Sequence, residues 1–333
     1  MPERIRAVQF GCGPIGCSVA RLALQKKTIE LIGAVDVARD KVGRDLGEII
    51  GLEKKIGVAI SDDYETIGRE AQPQVVFHCT GSSLMDVHTQ LEGIISTGTN
   101  IVSTCEELSY PFWKHRELAH SLHTLAVSHG VTLLSTGINP GFLMDAWPLF
   151  MSGVCQQIDM LRVTRVQNAS VRRLPFQKKI GAGCTVDQFE RLVEKGEIRH
   201  VGLTESIAMI ADALGWELDR ITERIEPLLA LKSVQSDHIS VEAGKVAGVR
   251  QVANGLQEGR VRVVLEFQAS LGSLESYDEV FISGTPQLLI RISGGVHGDI
   301  GTAAMVVNAA TRVVSAPPGL ITMKDLPITL CTT

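Results

Sequence analysis

Apolar and polar positions change rhythm along the chain near residue 150. Before that point, short apolar runs at residues 4–10, 30–35, 75–79, 100–103 and 131–134 alternate with longer stretches of helical character, the first of them residues 14–26. Continuous apolar runs separated by helices predict strands buried on both faces and joined by right-handed crossovers, hence a doubly wound parallel sheet in an α/β fold. Beyond it, a strand-like run at 159–166 precedes helical stretches at 185–195, 204–214 and 218–224. Strand-like stretches then follow around 238–252, 260–270, 277–283 and 287–293 with few helical breaks. That order predicts a second α+β domain on a largely antiparallel sheet. The Ala/Val-rich residues 298–314 read as a helix stopped by Ser315-Ala316-Pro317-Pro318-Gly319, expected to return to the first domain.

Composition narrows the class. Apolar residues at 44% and charged residues at 21% of 333 describe a folded globular chain rather than a disordered one. A net charge of −5 disfavours nucleic acid and anionic lipid as partners. Seven scattered cysteines without a Cys-x-x-Cys pair argue against disulfides and zinc and predict a reducing, cytoplasmic compartment. No apolar run reaches membrane-spanning length, so a membrane role is not expected. No His, Cys and Asp cluster has metal-ligand spacing, and no metal is expected.

Gly11-Cys12-Gly13-Pro14-Ile15-Gly16 follows a predicted strand and opens a predicted helix. In that context the glycines read as a dinucleotide fingerprint. Gly11 permits a tight turn, Gly13 lets the backbone approach a pyrophosphate, and Gly16 allows close helix–strand packing, while Pro14 and Ile15 begin the helix whose N-terminus attracts the anion. Asp36 ends the second strand, 20 residues after Gly16, where a carboxylate accepts hydrogen bonds from both adenosine-ribose hydroxyls. NAD is therefore the expected cofactor, with NADP tolerated if Arg39 turns toward a 2′-phosphate. Thr80, Gly81 and Ser82 lie at the carboxyl edge of another strand, suited either to the nicotinamide ribose or to a plain helix-capping turn. The first domain thus reads as a Rossmann dinucleotide-binding domain over residues 1–146. A substrate and dimerisation domain over 147–297 and a returning helix and tail over 298–333 complete the expected division.

A second carboxyl-edge loop, Ser103-Thr104-Cys105-Glu106-Glu107-Leu108-Ser109-Tyr110-Pro111, brings two acids past a buried strand. Paired acids favour the first turn of any helix. Their position, however, puts Thr104, Cys105 and Glu106 where a nicotinamide ring would end. Together with Gly137-Ile138-Asn139-Pro140-Gly141-Phe142-Leu143-Met144-Asp145, Arg173-Leu174-Pro175-Phe176-Gln177-Lys178-Lys179-Ile180-Gly181 and the tail from Gly298-Asp299 to Leu326-Pro327, this loop resembles the 2,4-diaminopentanoate dehydrogenase family, which includes the native amine dehydrogenases. The likeness spans nearly the whole chain and extends more distantly to dihydrodipicolinate reductases. It implies reversible NAD(P)-dependent oxidative deamination of an amine, 2,4-diaminopentanoate or a small alkyl amine, to a ketone plus ammonia. It assigns the acid/base role to a glutamate of the Cys-Glu-Glu loop, Glu106 by preference and Glu107 otherwise.

On the substrate side, Asn139 is suited to orient cofactor or substrate, and Phe142, Met144 and Trp147 suit a small alkyl-substituted ketone or, equally, a core. Arg172, Arg173, Lys178 and Lys179 flank Gln177 in what reads as a polar loop, able to hold a carboxylate or simply solvated. His200 precedes a helix and is a pocket candidate helped by the resemblance. Two further readings stand beside the amine dehydrogenase: a C=N or C=O reductase working without ammonia, and a non-catalytic NAD-binding sensor. A homodimer is expected, built on a free face of the second sheet.

Overall fold

A computed structural model describes residues 4–331 and divides the chain into two compact units, one running up to Phe142 and resuming at His297, the other Leu143–Val296. The first unit opens with β1 (Ile5–Phe10), α1 (Pro14–Gln25), β2 (Ile29–Val35), the single-turn α2 (Leu46–Ile49), β3 (Ile60–Ser61) and α3 (Tyr64–Ala71). It continues with β4 (Val75–His78), α4 (Leu84–Ser96), β5 (Asn100–Ser103), α5 (Arg116–Ser128) and β6 (Thr132–Ser135). The second unit holds α6 (Ala146–Ser152), β7 (Gln157–Asn168), α7 (Leu174–Lys179), α8 (Val186–Glu194), α9 (Leu203–Ala213) and β8 (Arg220–Leu229). Its remaining strands are β9 (Val234–Gln235), β10 (Ser240–Val241), β11 (Val246–Gln257), β12 (Arg260–Ser270), β13 (Tyr277–Thr285) and β14 (Leu288–Ser293). The chain then returns to the first unit with α10 (Gly298–Val313) and β15 (Gly319–Ile321).

The first unit's sheet runs β15-β6-β5-β4-β1-β2-β3 with every neighbouring pair parallel. All four residues of β4 and of β6 are buried, which is why these strands lack the apolar–polar alternation of a strand with one solvated face. Helices α4 and α5 bury Leu84, Val87, Leu91, Ile94, Ile95, Ala119 and Leu122 in the same core as Val76, Ile101 and Leu133. On the return, α10 packs on α1 and β5, and β15 adds an edge strand beside β6. All carboxyl ends of the parallel strands therefore face one edge, where ligands bind in open α/β sheets.

The second unit carries a six-stranded sheet, β14-β13-β7-β12-β11-β8, antiparallel except for the β7–β12 pair. Residues 218–224, expected as helix, instead lead into β8. From Ile221 to Ile225, half-buried and exposed positions alternate with period two, and pairing with β11 outweighs local helix propensity. The loop expected around Gln177 contains a helix, α7, with Pro175 in its first turn. The units divide between Phe142 and Leu143, before the expected boundary at 146. Leu143, Met144 and Asp145 are fully buried, and the Asp145 carboxylate accepts a 2.8 Å hydrogen bond from Ser206 on α9.

Candidate functional site

In the first unit the site grows from the β1–α1 turn. Gly11 adopts φ +88° and its N–H donates to Val35 O at 2.7 Å; a Cβ there would lie 2.4 Å from Cys79 O. A Cβ on Gly16 would stand 1.9 Å from Gly11 O, whereas at Gly13, the N-cap of α1, nothing lies within 4 Å. Tight packing at two glycines and open space at the third is the arrangement that admits a phosphate to a helix N-terminus, and no side chain caps that terminus. Gln9, a buried amide in β1, braces the turn with hydrogen bonds to Gly11 O at 2.9 Å and Phe77 O at 3.3 Å. The Cys12 thiol is driven up to about 12 by burial and by the nearby Asp36 charge, so it serves packing rather than chemistry.

Asp36 follows the end of β2, close to the glycine turn. Its Oδ1 accepts from Ala38 N–H at 2.9 Å, and its Oδ2 accepts from Cys12 N–H at 2.8 Å and from Lys41 Nζ at 2.9 Å. Burial opposes its charge, yet these hydrogen bonds and the Lys41 ammonium hold the carboxyl below its usual range. The sequence points to Arg39 as the cation for a 2′-phosphate. The structure leaves Arg39 exposed and brings a second cation, Lys41, to Asp36.

At the ends of β4 and β5, a buried network orders two further loops. His78 Nε2 lies 2.9 Å from Gln90 Oε1, so that nitrogen carries the proton, and Nδ1 accepts from Ser103 Oγ at 2.9 Å. Burial holds the imidazole at about 4, neutral at physiological pH. Thr80 Oγ1 donates to the same Gln90 oxygen at 2.8 Å, leaving Thr80 at the exposed lip beside Gly81 and Ser82. Cys105 is fully buried, its thiol donating to Ser82 O at 3.3 Å and its carbonyl accepting from Ser135 Oγ at 2.6 Å. Its side chain thus ties loops together, and burial pushes the thiol to about 12. The two acids begin a 3-10 turn, Glu106–Ser109. Glu107 is committed: Oε2 accepts from Leu84 N–H at 2.9 Å, capping α4, and lies 3.2 Å from His115 Nε2. Glu106 is half-buried next to it at the carboxyl edge.

After β6, the loop 136–142 is shaped by Gly141 at φ +114°, where a Cβ would meet Gly137 N at 2.3 Å, and by Thr302 of α10, whose hydroxyl accepts from Ile138 N–H at 3.3 Å. Asn139 within it is 8% exposed, and neither its Oδ1 nor its Nδ2 has a hydrogen-bond partner. A buried carboxamide with both ends unspent is a strong mark of a ligand position, because each such group costs about 1–3 kcal/mol until it is paired. The glycine cradle, the Asp36 carboxylate and this amide together fit a nicotinamide dinucleotide. Phe142, which closes the loop, is half-buried.

In the second unit the expected substrate residues fare differently. Met144 and Gln177 are fully buried. The Gln177 amide nitrogen donates to Ala169, Ser170 and Arg172 carbonyls at 3.0, 3.3 and 2.9 Å, and its Oε1 accepts from Ser236 at 2.8 Å, so its polar atoms hold the 3-10 turn Ala169–Val171 and α7 in place. Trp147 and His200 are half-buried and Arg173 is exposed. The His200 ring stacks on Phe267 at 4.6 Å, while its N–H and carbonyl are both fixed at 2.8 Å by the Gln251 carboxamide. Arg172, not Arg173, is the buried arginine, reaching Gln167 Oε1 at 3.1 Å with its guanidinium 4.2 Å over Phe176. Gln251 and Lys41 escaped sequence reasoning; the only signal for Gln251 was a polar residue in a strand-like run. Among the described residues no group of His, Cys, Asp and Glu could hold a metal ion, and no helix is long and apolar enough to cross a membrane.

Residues 142–333 match the family model of the 2,4-diaminopentanoate dehydrogenase C-terminal domain, and residues 5–104 that of the dihydrodipicolinate reductase N-terminus. The 2,4-diaminopentanoate dehydrogenase of Acetoanaerobium sticklandii is 32% identical over 98% of this chain and 94% of its own. An amine dehydrogenase of Streptomyces virginiae is 26% identical, covering 97% and 96%. The solved amine dehydrogenase from Mycobacterium smegmatis superposes with a TM-score of 0.86 at 27% identity, covering 99% of this chain and 98% of that one.

Proposed function

The chain belongs to the 2,4-diaminopentanoate dehydrogenase family, and from that premise we propose how its residues divide the work of an NAD(P)-dependent amine dehydrogenase, an oxidoreductase acting on CH–NH2 groups. The substrate is 2,4-diaminopentanoate or a small alkyl amine, converted reversibly to a ketone plus ammonia. Gly11, Gly13, Pro14, Ile15 and Gly16 receive the pyrophosphate, Asp36 the adenosine ribose, Thr80, Gly81 and Ser82 the nicotinamide ribose, and Asn139 the nicotinamide end. Trp147, His200, Arg173 and Phe142 are the accessible substrate-side residues, and Met144 and Gln177 act through packing. The enzyme works in the cytoplasm, with all seven cysteines unbridged. It is a homodimer through the second unit, where Leu231, Leu274 and Leu289 are exposed.

Glu106 is the acid/base. In the amination direction it takes a proton from ammonium, freeing ammonia to attack the carbonyl carbon. It then returns the proton to the carbinolamine hydroxyl, which leaves as water and gives an iminium. The nicotinamide, when bound, supplies the hydride that completes the amine. The observation that supports Glu106 over its neighbour is the commitment of Glu107 to the α4 N-terminus and His115.

The test is NADH and NADPH consumption with ammonium and a small ketone panel, repeated with 2-amino-4-oxopentanoate, on wild type and Glu106→Gln. Ammonia-dependent oxidation falling about 10³-fold in the variant is expected, a size typical of a lost general acid/base. The panel reads whether a carboxylate is required. Turnover without ammonia moves the assignment to a C=N or C=O reductase; tight dinucleotide binding without turnover moves it to a sensor.

A further inference from the structure

The ribose end of the cofactor site carries two opposite charges in contact. Lys41 Nζ lies 2.9 Å from Asp36 Oδ2, with 23% of the lysine side chain and 11% of the aspartate side chain exposed. The lysine is held there by its backbone. Lys41 N–H and Val42 N–H both donate to Ala38 O, at 2.9 and 3.1 Å, Ala38 N–H donates to Asp36 Oδ1 at 2.9 Å, and Gly43 N–H donates to Ile60 O on β3 at 2.8 Å. The turn is therefore tied at both ends and delivers the ammonium to the acid. Arg39, on the same turn, is exposed and has no ion pair or hydrogen bond among the described residues.

A bare carboxylate at this position accepts the ribose hydroxyls and repels a 2′-phosphate. An ammonium bound to it changes both effects: it takes up part of one oxygen's accepting capacity and cancels the repulsion. Lysine also suits the exchange, since its flexible stem carries a point charge able to leave one anion for another nearby.

We propose that Lys41 sets the cofactor range of this enzyme: it neutralises Asp36 and provides the cation for the 2′-phosphate, so that NADP(H) is used as well as NAD(H). The proposal rests on the dinucleotide reading of the site and goes beyond it by naming the residue that chooses between the two cofactors. When NADP(H) binds, the ammonium moves from Asp36 to the phosphate, and when NAD(H) binds it remains and competes with the ribose hydroxyls for Asp36.

The experiment is titration of NADPH and NADH, followed by the fluorescence of the reduced nicotinamide, into wild type, Lys41→Met and Lys41→Arg. Lys41→Met is expected to raise the NADPH dissociation constant at least tenfold and to lower that of NADH about threefold, opposite shifts that loss of a merely structural contact would not produce. Lys41→Arg should restore NADPH binding to within threefold of wild type. Equal weakening of both cofactors in Lys41→Met, or unchanged NADPH binding, overturns the proposal while leaving the dinucleotide site intact. Wild type that binds NADH alone overturns it too, and wild type that binds neither removes the dinucleotide reading itself.

Discussion

Asn139 in the first unit and Gln177 in the second carry the same functional group at similar depth, 8% and 0% exposed, and are used in opposite ways. Gln177 spends both ends of its carboxamide on three backbone carbonyls and a serine hydroxyl, and Gln251 is likewise fully engaged with His200 and Glu223. Asn139 spends neither end. The second unit's buried amides are thus scaffolding that holds α7 and the His200 segment, while the first unit keeps one amide in reserve at the carboxyl edge of its sheet. Burial of a polar side chain is therefore no guide to function until its hydrogen bonds are counted.

This contrast can be broken by substitution. Gln177→Leu should cost about 3 kcal/mol of unfolding free energy, read by urea denaturation, because it strands buried carbonyls without a donor. A loss under 1 kcal/mol would mean that the amide is not scaffolding. A second test uses His78, a first-unit group that is buried and fully paired. Its imidazole titrates at about 4 in the folded chain against an ordinary 6.5. Between those values the unfolded chain takes up a proton that the folded one refuses, so the stabilisation is complete above pH 6.5 and declines as pH falls toward 4. Wild type should lose about 2 kcal/mol more between pH 7 and pH 5 than His78→Asn does. Equal losses would place the pH sensitivity elsewhere. The smallest effect is the most discriminating. Asn139→Leu should leave the thermal midpoint at or above that of wild type while weakening NAD(P)H about tenfold, or about 1.4 kcal/mol; a stability loss like that of Gln177→Leu would erase the distinction between the two amides.

The fold of the first unit was legible because its strands are buried on both faces and its glycines act locally. Where legibility failed, the deciding force was long-range. Residues 218–224 became strand through pairing with β11, and Gly319–Ile321 joined the first sheet beside β6, which no local pattern announces. Among candidate site residues the same line separates Gly11, Gly13 and Asp36, which local spacing over β1, α1 and β2 singles out, from Lys41, Gln251 and Arg172, whose partners depend on how turns and sheets close. Arg39 and Lys41 are both cations shortly after Asp36, and only the turn held by Ala38 and Ile60 decides which one reaches it.

The amino-acid order by itself determined the two-part architecture, the glycine cradle, the carboxylate that follows β2 and the acidic loop, because each depends on periodicity or on contacts a few residues apart. Tertiary structure alone decided which of two adjacent glutamates caps α4, which of two arginines is buried, and which buried amide has neither end hydrogen-bonded. Those outcomes depend on donors and acceptors that chain folding brings from distant positions, Leu84 to Glu107 and Ser236 to Gln177 among them, and no spacing along the chain encodes them.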